Sequence, residues 1–155
     1  MWPPRTILLA SHGSNGARAA EDLALQLCAE GGTIRHLVVV HEAIWKGMDA
    51  TDWRSGPALR NEFAGYLEDE LRREIQEHSQ ALRERVEARG LHYQLDALQG
   101  DPDAMLVALA ERLQPDLVVL GAPRPKGRPG LRSRMLNEKL LRALAVPVLI
   151  APRGA

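Results

Sequence analysis

A chain of 155 residues is long enough to bury a substantial core as one domain, residues 1–155. Its 20 Lys and Arg balance 20 Asp and Glu, and a net charge of 0 argues against a general nucleic-acid or membrane-surface role. The lone Cys28 excludes an internal disulfide, and no apolar run reaches the ~20 residues of a membrane span.

The opening Met1-Trp2-Pro3-Pro4-Arg5 has no apolar signal core, so the cytoplasm is the expected compartment. Thr6 to Ala10 reads as a buried strand. Asn15 to Glu30 reads as a helix, with Leu23 and Leu27 one turn apart on its apolar face and Gly31-Gly32 as its stop. Cys28 lies inside it, as a small core residue. Ile34 to Val40 is the second strand, and the unbroken Leu37-Val38-Val39-Val40 suits a parallel strand covered on both faces. Residues 42–57 are irregular. Trp45, Met48 and Trp53 there either pack beneath the next helix or cover a site. Pro57 opens a long helix to about Arg89, with Gly90 as its stop. Leu59, Phe63, Leu67, Leu71, Ile75, Leu82 and Val86 repeat along it at helical spacing. His78 falls on that face and reads as a satisfied, half-buried histidine.

Leu91 to Leu98 is the third strand. Asp101 caps the third helix and Pro102 takes its first position. Met105, Leu106, Leu109 and Leu113 form the buried face of that helix. The fourth strand begins at Leu117, the fourth helix covers about Arg134 to Leu144, and Val146 to Ile150 is the fifth strand. This alternation predicts an α/β fold, a five-stranded parallel sheet with helices on both faces. Ligands bind such sheets beyond the carboxyl ends of the strands, where strand order reverses. With strands one and four adjacent there, the crevice lies between Ser11-His12-Gly13-Ser14 and the loop after Gly121.

That loop has a definite frame: Gly121, two residues, Arg124, nine residues, then Arg134-Met135. It resembles the nucleotide-binding loop of the universal stress protein family, which reads Gly, two residues, Gly, nine residues, Gly-Ser/Thr. Four more pieces match in order: Ile7 to Ser14, Gly100-Asp101-Pro102, Asn137-Glu138-Lys139 and Val146-Pro147-Val148. The resemblance implies a sheet of order 3-2-1-4-5 and a dimer. Within it Arg124 and Arg134 replace two cradle glycines, and Met135 replaces the hydroxyl residue. His12 stands where ATP-binding members carry an aspartate, and Val39 near the apolar adenine contact, though its surroundings read as strand core.

Glycines in a phosphate loop let backbone N–H groups approach the anion. Arginines add bulk there, and Pro123, Pro125 and Pro129 remove further donors. Two guanidinium forks can instead grip a phosphate directly. The candidate ligand residues are therefore Ser11, His12, Gly13, Ser14, Val39, Gly121, Arg124, Gly127, Arg134 and Met135. The expected protein is non-catalytic, with weak or no binding of ATP or another nucleotide and no other cofactor. It acts through a homodimer built on the last strand, or through a protein partner. An alternative is a sensor for a modified nucleotide or other anion, held by His12, Arg124 and Arg134. Another is a small tetrapyrrole metal chelatase, because Ala10 to Ser14 also looks like the opening of those enzymes. A second cleft histidine would then be needed, and His78 and His92 are not convincingly placed. His41 and Glu42, with His12, are too few to predict a metal site.

Overall fold

The structure is a computed structural model and describes residues 2–10, 15–40, 56–121 and 138–152. Five strands, β1 (Thr6–Ala10), β2 (Thr33–Val40), β3 (His92–Gln99), β4 (Leu117–Gly121) and β5 (Val148–Ala151), form one sheet in the order β3-β2-β1-β4-β5. Every pairing is parallel, as the unbroken apolar runs require. Among the described residues four helices accompany them: α1 (Asn15–Leu27), α2 (Gly56–Ala88), α3 (Pro102–Leu113) and α4 (Glu138–Ala143).

Strand alternation divides the core into two layers. Ile7, Leu9, Ile34, Leu117 and Val119 face α1 and α2, where Ala20, Ala24, Leu82 and Val86 meet them. Leu8, Ala10, Leu37, Val39, Val118 and Leu120 face the other way, against Leu106, Leu109, Ala110 and Leu140 of α3 and α4. Burying each large aliphatic side chain contributes about 1.5–3 kcal/mol.

Several boundaries differ from the sequence reading. The first helix ends at Leu27, because the Ala29 N–H turns away to donate to the Pro4 carbonyl at 2.7 Å. Gly31 then takes φ +73°. Gly32 lies so close to Arg5 that a Cβ would stand 2.5 Å from its carbonyl oxygen, so only glycine fits there. The Thr33 N–H donates to that same oxygen at 2.7 Å and starts β2 one residue early. Asp101 occupies the position before α3, but its carboxylate makes no capping bond; its carbonyl accepts from the Met105 N–H at 3.0 Å. β5 starts at Val148 rather than Val146, since Pro147 has no N–H for the ladder. No helix among the described residues is long and apolar enough to cross a membrane.

Candidate functional site

The chain reverses its direction across the sheet between β1 and β4. β1 leads through α1 to β2 on one side, while β4 lies on the other. Ala10 pairs with Leu120 at the carboxyl edge, one residue before Gly121 closes β4 against Ala151. Ala10, Leu37 and Leu120 are all buried there, so this edge is apolar and closely packed. In a doubly wound sheet it is the edge where loops converge on a ligand.

Of the candidate ligand residues, two fall within the described part of the chain. Gly121 ends β4 and is half-buried. Val39 is 7% exposed and packs in the α3 layer with Leu37, as strand core. Ser11, His12, Gly13, Ser14, Arg124, Gly127, Arg134 and Met135 lie outside the described residues, as do His41, Glu42, Trp45, Met48 and Trp53. No group of three or more His, Cys, Asp or Glu side chains that could hold a metal ion occurs among the described residues. Cys28 is half-buried, its Sγ lies 3.9 Å from the Arg5 carbonyl oxygen, and burial pushes its thiol above the ordinary value. A thiol held protonated is a poor nucleophile.

A second constellation lies in the α1 and α2 layer, and sequence reasoning caught only one member of it. Glu21 of α1 is 3% exposed, yet it is flanked by charges from α2. Its Oε1 lies 2.7 Å from His78 Nε2, and its Oε2 accepts from Arg85 Nη1 at 3.4 Å. Arg85 Nη2 also reaches Asp22. Behind His78, the fully buried His36 of β2 has its ring centroid 5.7 Å away. His36 Nδ1 and the Tyr93 hydroxyl of β3 are 2.7 Å apart. The Arg83 guanidinium stands 5.0 Å over the Tyr93 ring, a cation–π contact.

These contacts set the protonation states. The hydrogen bond to Glu21 raises His78 above its ordinary value; partial burial opposes this, and the Glu21 charge reinforces it. Burial raises the Tyr93 phenol, partly offset by the Arg83 charge. The arrangement favours a proton on His78 of α2, held against Glu21 of α1. It presents no activated nucleophile.

His78 was legible as a half-buried histidine, and its side chain is 33% exposed. Glu21 and His36 were not, because their partners lie far along the chain: Arg85 is 64 residues from Glu21, and Tyr93 is 57 from His36. The one available signal was the position of Glu21 beside Ala20 on the apolar side of α1.

The sequence matches the model of the universal stress protein family over residues 4–152. No curated protein matches it. Among solved structures, the fold is similar to the hypothetical protein MJ0577, with a TM-score of 0.76, 19% identity, and 97% of this chain and 96% of that one covered. It is also similar to a protein of the universal stress protein family from Burkholderia pseudomallei, with a TM-score of 0.65, 25% identity and 96% of each chain covered. A universal stress protein family protein from Arabidopsis thaliana, solved with AMP bound, gives a TM-score of 0.63 at 15% identity, covering 98% of this chain and 94% of that one.

Proposed function

The chain belongs to the universal stress protein family, and we propose that it is a non-catalytic regulatory or stress-response member whose ATP binding is weak or absent. The observation that carries this is the loop sequence after β4. Arg124, Arg134 and Met135 occupy the places of two cradle glycines and the hydroxyl residue, and His12 replaces the aspartate. Each lost contact removes on the order of 1 kcal/mol, and four together lower affinity roughly 10³-fold. The double change Arg134→Gly with Met135→Ser restores backbone and hydroxyl donors. It is expected to raise ATP affinity measured by equilibrium dialysis. No gain would mean that these positions do not set the affinity.

The AMP seen in the Arabidopsis protein of similar fold supports a nucleotide-class or other anionic ligand as the second reading. Residues 122–134 carry five basic side chains and no acidic one. His12, Arg124 and Arg134 would then grip a phosphate, more strongly as pH falls toward about 6.5 and less strongly in salt. Replacing both arginines with alanine is expected to abolish phosphate or sulfate binding, and equal binding to that variant would refute the site.

The whole chain acts as one domain of this family, in the cytoplasm, and pairs with a second copy through β5. That strand is a sheet edge with Ile150 40% exposed, and an apolar edge invites pairing across a two-fold axis. Light scattering at tens of micromolar is expected to give the dimer mass; a monomer mass would refute the pairing.

A further inference from the structure

We propose that Glu21 and His78 form a protonation-dependent clamp that fastens the carboxyl-terminal part of α2 to α1, tightening as the imidazole gains its proton. The geometry is that of a shared carboxylate. Glu21 sits on α1 with its side chain 4% exposed, and each of its oxygens receives a different group from α2. His78 and Arg85 lie two helical turns apart, seven residues, so a single carboxylate bridges the stretch of α2 that carries Leu82, a member of the core cluster with Ile7, Leu9 and Ala24.

The two nitrogen partners differ in kind. An arginine guanidinium is a permanent cation, so its contact with Glu21 is constant. His78 does not. Protonated, it offers Glu21 a charge-assisted hydrogen bond, the stronger form. Neutral, it can offer only an uncharged N–H, or a lone pair that faces the carboxylate unfavourably.

Among the described residues, groups from four elements face His78. From α1 these are Glu21, which favours the imidazolium, and Arg18, which opposes it. From α2, Arg85 opposes it and is itself held by Asp22. From β2 comes the His36 ring, and from β3 the Tyr93 phenol hydrogen-bonded to it, which stays neutral. The Glu21 contact, at 2.7 Å, prevails. The folded chain therefore holds the His78 proton to a higher pH than the unfolded chain does. By linkage, the clamp's stabilisation is complete below about pH 6.5 and is lost as pH rises through the raised folded value.

α1 begins at Asn15, directly after the segment Ser11 to Ser14. The clamp therefore fixes a helix that starts at the candidate crevice, although its test does not depend on any ligand there.

The test is thermal unfolding of the full chain and of His78→Gln across pH 5.5 to 8.5, with histidine NMR titration of the native protein. The variant should melt about 2–4 °C below the native chain near pH 6. The gap should shrink as pH rises past the His78 midpoint. In native protein the His78 imidazole should titrate above 6.5, and Glu21→Gln should lower its midpoint. An equal melting gap at every pH would overturn the proposal. So would a native His78 midpoint at or below 6.5, a readout that stands even if a variant fails to fold.

Discussion

The two faces of one sheet are built differently. The face under α3 and α4 is covered by a wholly aliphatic cluster, Leu8, Ala10, Leu37, Val39, Leu106, Leu109, Ala110, Val118, Leu120 and Leu140. The face under α1 and α2 buries an aliphatic cluster of its own and also Glu21, His36 and Ser79, the buried polar residues among those described. The same five strands serve both. Dispersion and water exclusion hold the aliphatic cluster of the first face and do not depend on pH, while the same face carries the Arg35–Asp96 ion pair at its β2–β3 margin. The second adds directional contacts whose strength follows the charge of His78 and whose buried groups are costly to leave unmatched.

The comparison is sharpest where the aliphatic face is cut. Leu106→Ala, at a residue with no exposed surface, should destabilise by about 2–5 kcal/mol in denaturant unfolding, with the same loss at pH 6 and pH 8. A pH-dependent loss there would break the division between the faces. Gly32→Ala belongs to the same large class. Its Cβ would meet the Arg5 oxygen at 2.5 Å and Cys28 Sγ at 2.7 Å, so the turn between α1 and β2 must open. A loss of about 2 kcal/mol or more is expected, and a neutral result would show that the turn can shift freely.

On the polar face, Tyr93→Phe keeps the ring under Arg83 and removes the hydroxyl that meets His36. About 1–2 kcal/mol should be lost. The smallest effect is expected on the opposite face, at its β2–β3 margin, where Arg35 lies in register with Leu8 and Asp96 with Leu37. Arg35 grips both oxygens of Asp96 at 3.1 Å and the Gln94 side chain at 2.6 Å, with side chains only 16% and 13% exposed. Asp96→Asn should cost about 1 kcal/mol, and less in high salt.

Most of the scaffold was legible because it rests on local pattern. Thr6 to Ala10 is an apolar run bounded by Arg5 and Ser11, and it is β1 as read. Gly90 and Pro102 punctuate the chain where α2 stops and α3 starts. The misread boundaries of α1 and β2 depend on distant backbone, while that of β5 follows from Pro147. Only the tertiary bond from Ala29 to Pro4 shows why α1 stops short of Glu30. The polar cluster was hidden for the same reason, since Glu21 finds its cations on a helix whose contacting residues lie some 60 positions on. The proposed ligand loop is the reverse case. Its frame, Gly121 to Met135, could be read residue by residue, because a phosphate cradle is a matter of spacing and small side chains.

The proposed function rests on the carboxyl edge between β1 and β4 rather than on either face of the sheet. Calorimetric titration of the unmodified protein with ATP, at physiological magnesium, bears on it most directly. The substitutions at His12, Arg124, Arg134 and Met135 predict no measurable heat, or a dissociation constant far weaker than micromolar. A dissociation constant in the low micromolar range or below would contradict the reading of a rewritten cradle.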